Sequence, residues 1–225
     1  AEDNPELAEK INGESVGLIS NWCADNSCRL IHISTDFVFD GSKTEPYLPD
    51  DKTNPLGVYG QTKVRGERHI LKRLPDNGVI IRTSWLYSEF GSNFVRTMLN
   101  LMSKEAEINV VDDQIGSPTS TYSLSKVLIR LIERKDVSGI FHWCDGASIS
   151  WHKFAEHIRN SALNQGILQR KSRLRPILTS EYPTKAQRPK YSVLDRSRIV
   201  DQMNFDRTEW KSELDKVISK IAILD

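Results

Sequence analysis

The stretch Leu30-Ile-His-Ile-Ser-Thr-Asp36 decides the fold, because a short apolar run passes directly into three polar residues. A nearly unbroken apolar run suits a strand that is covered on both faces, as strands in a parallel sheet are. In open parallel sheets, ligands bind at the carboxyl ends of the strands. Ser34, Thr35 and Asp36 therefore lie where a binding or catalytic site is expected.

Patterns on either side of this strand alternate between helical and extended periodicity. Apolar residues recur at helical spacing over 5–23, with Asn4 as a candidate N-cap, and again over 59–74, ahead of the apolar run 79–81. Further along, helical patterns cover 93–102, 124–132, 151–163 and 209–223, and extended patterns cover 108–111 and 140–143. Repeated alternation of this kind predicts an α/β fold with parallel strands.

Bulk composition limits the function classes. The 225 residues are 38% hydrophobic and 27% charged, which is typical of a globular protein with a sizeable core. A net charge of +1 gives no field that would attract a polyanion, so no nucleic-acid partner is expected. No stretch approaches the ~18 apolar residues of a membrane helix, so no membrane partner is expected. The 3 cysteines have no metal-ligand spacing, which favours a reduced, cytoplasmic compartment and no metal site.

Tyr59 and Lys63 form the first candidate for catalysis. Residues four apart lie on one face of a helix, so the phenol and the ammonium can point at one small volume. A neighbouring ammonium favours phenolate, and we therefore expect Lys63 to lower the pKa of Tyr59 from its reference value of ~10. A phenol tuned in this way serves as acid and base near neutral pH.

Tyr122 and Lys126 have the same spacing but lack the same context. No strand that ends in hydroxyl residues precedes them at a loop's length, and their segment has the pattern of an ordinary amphipathic helix. A short motif carries meaning only in its structural context. We therefore interpret this second pair as structural.

Longer motifs around the first pair resemble a known family. One set is similar in order and spacing to the active-site block of extended short-chain dehydrogenases: Ile33-Ser-Thr-Asp-Phe-Val-Phe-Asp-Gly41, Pro46-Tyr47, Asn54-Pro55, Val58-Tyr59-Gly60, Lys63 and Gly66-Glu67. A second set narrows the resemblance to the dTDP-4-dehydrorhamnose reductase family: Arg82-Thr-Ser-Trp-Leu-Tyr87, Gly91-Ser-Asn-Phe94, Asp113-Gln-Ile-Gly-Ser-Pro-Thr119, Gly139-Ile-Phe-His142, Ser150-Trp151, and Arg188-Pro189 with Tyr191-Ser192. Together these motifs cover nearly the whole chain. Phe37 departs from the family, which usually has tyrosine there, although the aromatic ring is retained.

The resemblance implies reduction of the C4 ketone of dTDP-4-dehydro-6-deoxy-L-mannose to dTDP-L-rhamnose, with NADPH or NADH as the cofactor. Tyr59 would donate a proton to the C4 oxygen. Lys63 would lower the phenol pKa and hold the nicotinamide ribose, and Thr35 would hydrogen-bond the ketone and tune Tyr59. The implied catalytic residues are Tyr59, Lys63 and Thr35, the cofactor contacts Ser34, Tyr59 and Lys63, and the substrate contacts Thr35, Asp36 and Trp85.

Trp85 can be interpreted in two ways. Without the resemblance it would be a core residue, since large aromatic side chains are usually well buried. With the resemblance, we expect it to line the pocket of the sugar nucleotide and to contribute little to the core.

The resemblance also implies an incomplete Rossmann-like fold, a doubly wound parallel sheet with a smaller C-terminal substrate-binding lobe. We expect residues 1–145 to form the dinucleotide-binding domain and residues 146–225 to form the lobe, with part of 90–117 free to join the lobe. The sequence contains no Gly-x-Gly-x-x-Gly string. The turn that binds pyrophosphate is therefore expected in a missing N-terminal segment of about 60 residues, at ~30 residues for each βαβ unit.

Three alternatives stay open on the sequence. A related reductase would give the other C4 stereoisomer, because the sequence does not fix which face the hydride reaches. A non-catalytic subunit, similar to the regulatory partner of methionine adenosyltransferase, would keep the Ser-Thr-Asp and Tyr-x-x-x-Lys blocks but differ at Trp85 and over 113–119. The chain could also be a fragment that is inactive by itself. A nucleotide sugar is the expected partner, and a homodimer is left open.

Overall fold

The architecture is that of a computed structural model in which residues 1–224 are described, with side chains described for residues 1–221. The helices are α1 (Pro5–Glu9), α2 (Ser15–Asp25), α3 (Val58–Arg73), α4 (Phe94–Lys104), α5 (Thr121–Glu133), α6 (Trp151–Asn164), α7 (Ser197–Met203) and α8 (Trp210–Leu224). The strands are β1 (Leu30–Thr35), β2 (Gly78–Thr83), β3 (Leu86–Tyr87), β4 (Glu107–Val111), β5 (Ile115–Gly116), β6 (Thr119–Ser120), β7 (Gly139–His142), β8 (Ile149–Ser150) and β9 (Arg173–Ile177). Every helix and strand expected from the sequence is present. Helix α7 was not expected.

The chain divides into two compact units. The first contains Ala1–Ser84, Lys126–Trp143 and Thr184–Phe205, and the second contains Trp85–Ser125, Cys144–Pro183 and Asp206–Asp225. A single boundary at residue 145 does not describe this division, because the chain returns to the first unit twice. Residues 90–117 belong to the second unit.

A three-stranded parallel sheet in the order β1-β2-β7 forms the centre of the first unit. Every residue of β2 is buried, as expected for a strand that has a neighbour on each side. The register places Ser34 opposite Arg82 and Thr35 opposite Thr83. Polar residues at the carboxyl ends of β1 and β2 therefore share one edge of the sheet, and the predicted α/β fold with parallel strands is confirmed.

Helices α2 and α3 pack against each other in the first unit. Asn4 caps α1 by accepting the N–H of Leu7 at 3.0 Å, as the sequence predicted, and the π-helical turn Lys10–Glu14 joins α1 to α2. A Cβ at Gly66 of α3 would lie 2.3 Å from the carbonyl oxygen of Asn12. Only glycine permits this close approach, which brings α3 against the N-terminal helices.

The second unit has its own apolar core, to which α4, α6 and α8 contribute. Short strand pairs accompany these helices: β3 with β6 and β4 with β9 are parallel, and β5 with β8 is antiparallel. Pro176 lies within β9. Proline has no backbone N–H to donate to a neighbouring strand. Because β9 belongs to a two-stranded sheet, one of its sides has no neighbouring strand, and a proline is tolerated there.

Three further observations concern residues 1–224 only. None of the helices in that range is long and apolar enough to cross a membrane. No group of three or more His, Cys, Asp or Glu side chains in it is placed to hold a metal ion. Cys23, Cys28 and Cys144 are not joined in disulfide bonds.

Candidate functional site

Thr35 is the last residue of β1 and organises the turn that follows it. Its Oγ1 accepts the backbone N–H of Phe37 at 3.1 Å and donates to Oδ1 of Asp36 at 3.1 Å. The hydroxyl thus caps the short 3-10 helix Asp36–Val38. Thr35 and Asp36 are both buried. The turn therefore holds a hydroxyl and a carboxyl side by side at the carboxyl end of the strand.

Helix α3 begins beside this turn and brings Tyr59 to it. A Cβ at Gly60 would lie 2.1 Å from the carbonyl oxygen of Phe37, so glycine allows the helix to approach the turn. The ring of Tyr59 meets that of Phe37 edge to face, with centroids 6.0 Å apart and an interplanar angle of 78°. Tyr59 is 38% exposed, so its phenol is both held by the protein and accessible to a ligand.

The pKa of Tyr59 is raised above its ordinary value, and burial of the ring is the largest cause. The charge of Asp36 raises this pKa further, whereas hydrogen bonding with Thr35 lowers it. The expected lowering by Lys63 is wrong for this structure, because burial dominates the shift and Lys63 is not among the groups that lower the pKa of Tyr59. Tyr59 is therefore protonated at neutral pH and can act as a proton donor.

Lys63 lies against β1. Its Nζ donates to the carbonyl oxygen of Ile33 at 2.6 Å and lies 3.0 Å from Nε2 of His32. Burial lowers the pKa of Lys63, and the nearby charge of Glu67 opposes that shift. Two of the three ammonium protons are thus directed at the strand. One remains for another partner.

Ser34 and Asp36 add two polar groups to the same strand end. Ser34 Oγ is buried and has no hydrogen-bond partner among residues 1–221. Burial raises the pKa of Asp36 to about 6, although hydrogen bonds with Ser192 and Thr35 oppose the shift. A buried hydroxyl without a partner is unusual in a folded protein. It marks a position where a polar group of a ligand would be accommodated.

A cavity of about 260 Å³ opens beside Tyr59 within the first unit. Its walls are largely apolar and include Phe37, Phe39, Leu56 and Pro189. A protonated phenol at the wall of such a cavity can donate a hydrogen bond to a bound carbonyl group. The geometry is therefore that of a candidate acid catalyst next to a small-molecule site.

A buried ion pair behind the site was missed in reading the sequence. Arg82 Nε and Nη2 donate to the two carboxylate oxygens of Glu67 at 2.9 and 2.7 Å, and Arg82 Nη1 donates to the carbonyl oxygen of Pro49 at 3.1 Å. Both side chains are buried. A signal was present, because Glu67 follows Lys63 by four residues on the buried face of α3, and a carboxylate is almost never fully buried without a partner.

Comparison with known proteins assigns the family. The family model described as RmlD substrate binding domain matches residues 1–223. The dTDP-4-dehydrorhamnose reductase of Aggregatibacter actinomycetemcomitans is 36% identical over an alignment of 222 residues, which covers 96% of this chain and 75% of that enzyme. The chain belongs to the dTDP-4-dehydrorhamnose reductase family.

Solved members of this reductase family share the fold. A dTDP-4-dehydrorhamnose reductase from Clostridium acetobutylicum superposes with a TM-score of 0.90 at 38% identity, covering 98% of this chain and 76% of that one. The Bacillus anthracis enzyme, solved in complex with NADP, gives a TM-score of 0.88 at 32% identity and covers 98% and 75%. The predicted Rossmann-like α/β fold and the predicted family are thereby confirmed.

The site residues that the reductase-family resemblance selected lie in two different units of the structure. It places Ser34, Thr35, Asp36, Tyr59 and Lys63 in the first unit, at the end of β1 and the start of α3. Trp85 lies in the second unit and has a left-handed backbone with φ of 47°. That conformation costs a residue other than glycine roughly 1–2 kcal/mol.

The ring of Trp85 packs against the core of the second unit. It stacks on Trp151 with centroids 3.5 Å apart and an interplanar angle of 11°, and it lies 6.2 Å from the ring of Phe154. A Cβ at Gly116 would lie 2.6 Å from the indole. The expectation that Trp85 contributes little to the core is therefore wrong. Its contact with the sugar nucleotide stays a prediction.

Trp85→Ala should lower the free energy of unfolding by about 3 kcal/mol. This lies at the low end of the ~3–5 kcal/mol found for large buried aromatics, because the ring of Trp85 is half-buried. Unfolding by urea, followed by circular dichroism, measures the change. The exposed neighbour Leu86 supplies the control, since Leu86→Ala should change stability by less than ~0.5 kcal/mol. Unchanged stability of Trp85→Ala would return Trp85 to a role in ligand contact alone.

The second Tyr-x-x-x-Lys pair is structural in this reductase-family fold, as interpreted from the sequence. Tyr122 donates its hydroxyl proton to Glu89, and the ammonium of Lys220 lies 3.5 Å from the centroid of the Tyr122 ring. Lys126 is exposed. The phenol of Tyr122 is thus occupied by a buried carboxylate.

Proposed function

We propose that the gene product carrying this chain reduces the C4 ketone of dTDP-4-dehydro-6-deoxy-L-mannose to dTDP-L-rhamnose, with NADPH or NADH. The observation that carries the proposal is the position of Tyr59, whose protonated phenol lies beside Thr35 at the carboxyl end of β1. The relatives named above are reductases and not regulatory subunits. This favours an enzyme over the non-catalytic alternative.

Tyr59 has the protonation state that ketone reduction needs. Its raised pKa keeps the phenol protonated at neutral pH, ready to donate to the C4 oxygen as negative charge develops there. The Thr35 hydroxyl has one proton, and in our proposal it turns that proton from Asp36 to Tyr59, which favours the phenolate that remains after the transfer. Thr35 therefore supports Tyr59 in our proposal, and its hydroxyl also contacts the ketone.

The residues at the strand end fit a nicotinamide cofactor. Ser34 Oγ is buried without a partner, and the third proton of the Lys63 ammonium is available, so both groups suit the hydroxyl and amide groups of such a ligand. When bound, the nicotinamide supplies the hydride. Lys63 in our proposal holds the ribose, and Tyr59 completes the contact. The Bacillus anthracis relative in complex with NADP supports this choice of cofactor.

Asp36 and Trp85 complete the proposed contacts with the nucleotide sugar. Asp36 is buried beside Thr35, and Trp85 follows Ser84 in the motif that the family resemblance selected.

We also place the enzyme in the cytoplasm, which the free thiols of Cys23 and Cys28 support. A homodimer forms part of the proposal, supported by the exposed apolar side chains on α2.

An assay with the purified gene product tests the function. NADPH absorbance should fall only when dTDP-4-dehydro-6-deoxy-L-mannose is added, and NMR should identify the product as dTDP-L-rhamnose. A reaction without the sugar nucleotide is the control. Cofactor binding without consumption would favour the regulatory subunit, and the epimeric product at C4 would favour the related reductase.

A further inference from the structure

We infer that His32 is a positioning residue for the proposed reaction: its neutral imidazole accepts a hydrogen bond from Lys63 and fixes the direction of the ammonium. The inference rests on the proposed function, because it assumes that Lys63 contacts the cofactor. It assigns a task to a histidine that the sequence alone presents as part of an apolar strand.

The geometry gives Lys63 two acceptors from consecutive residues of β1. Nζ lies 3.0 Å from His32 Nε2 and 2.6 Å from the carbonyl oxygen of Ile33. Both distances are those of hydrogen bonds. A lysine side chain is long and flexible, so a single acceptor would leave the direction of its remaining N–H groups free. Two acceptors leave one donor, aimed away from the strand.

The strand that carries these acceptors is itself fixed. His32 pairs with Ile80 in the parallel ladder between β1 and β2, and every residue of β2 is buried. Lys63 is buried as well. The contact between His32 and Lys63 therefore joins the sheet to α3 at a defined point, one helical turn after Tyr59.

The contact requires a neutral imidazole. An ammonium has only protons to donate, so Nε2 must offer its lone pair and the ring proton must reside on Nδ1. Burial lowers the pKa of His32 to about 4, and the charge of Lys63 adds to the shift. The charged groups on α3 that face the contact are Lys63 itself and Glu67, whose charge favours the ammonium. At neutral pH, His32 is thus neutral and able to accept a hydrogen bond from Lys63.

Removing the imidazole of His32 should leave the Lys63 ammonium less well oriented without removing its charge. We expect His32→Leu to lower kcat/KM for NADPH about tenfold, mainly through a higher KM, because one hydrogen bond to a charged group is lost. His32→Gln should recover activity to within about threefold, since the amide oxygen can take the place of Nε2. The matched control is His69→Leu. His69 is exposed on α3, the helix that carries Lys63, so this substitution should change neither kcat nor KM.

The inference is tested by steady-state kinetics of these variants in the full gene product, with melting temperatures measured beside them. A tenfold effect of His32→Leu that His32→Gln reverses supports positioning. Unchanged kcat/KM in His32→Leu, or an equal loss in both variants, overturns it. An inactive parent enzyme would instead contradict the proposed function.

A measurement without variants keeps the inference testable if His32→Leu does not fold. Heteronuclear NMR of the imidazole at neutral pH should show a neutral His32 with its proton on Nδ1. A charged ring, or a proton on Nε2, would show that the nitrogen cannot accept from Lys63. This result does not depend on whether the enzyme is active.

Discussion

Tyr59→Phe should lower turnover by about 10²- to 10⁴-fold, the usual contribution of a positioned acid or base. Phenylalanine keeps the ring that packs edge to face on Phe37, and it loses the transferable proton and the hydrogen bond with Thr35. The KM for NADPH should change much less than turnover, since the proposed cofactor contacts of Ser34 and Lys63 remain. Steady-state kinetics of the full gene product measures both quantities.

Tyr122→Phe is the matched control for this substitution. It removes the same hydroxyl from the other Tyr-x-x-x-Lys pair, where the proton goes to Glu89. Stability should fall, because the buried Glu89 loses a hydrogen bond, but turnover of the folded enzyme should stay within about twofold. If Tyr122→Phe abolished turnover and Tyr59→Phe did not, the active site would have to be assigned to α5.

The sequence could predict the elements and much of the site for local reasons. Asn4 before Pro5 gives a cap, the apolar run at 79–81 gives a buried strand, and Gly60 and Gly66 belong to motifs that define α3. Ser34-Thr35-Asp36 ends a strand whatever the rest of the chain does. Its neighbours in the sheet then fix where those side chains lie, which is why Thr35 and Tyr59 come together as expected.

The features that the sequence could not predict depend on burial and on partners far along the chain. The spacing of Tyr59 and Lys63 allows a charge effect between them, yet the ammonium turns to Ile33 and His32, and burial raises the pKa of the phenol. Trp85 stacks on Trp151, which lies 66 positions later in the sequence. The division into units likewise depends on tertiary contacts and not on a local boundary.

The ion pair between Glu67 and Arg82 joins α3 to β2 behind the candidate site. Both charges are buried, and Arg82 also holds the carbonyl oxygen of Pro49 at 3.1 Å and lies over the ring of Phe39, with 5.1 Å between its guanidinium carbon and the ring centroid. One arginine thus connects the helix that carries Tyr59, the central strand, and the loop after the Ser-Thr-Asp turn. Its loss should affect stability more than any single exposed charge.

Arg82→Met should lower the free energy of unfolding by about 3–5 kcal/mol, the range for removing one partner of a buried pair. Methionine fills much of the volume, but it leaves the Glu67 carboxylate buried without a counter-charge and removes the donor to Pro49. Unfolding by urea at pH 7 measures the effect. Arg65→Met removes an exposed arginine that pairs with Glu9 from the same unit, and it should cost less than about 1 kcal/mol.

The double variant Glu67→Met with Arg82→Met separates the unpaired charge from the lost packing. If the buried carboxylate causes most of the loss, the double variant should be more stable than Arg82→Met alone, because no charge is left without a partner. The difference between the two is the cost of burying Glu67 unpaired. A double variant as unstable as the sum of the two single variants would show that the pair contributes through shape and the Pro49 contact, and that its charges are not coupled.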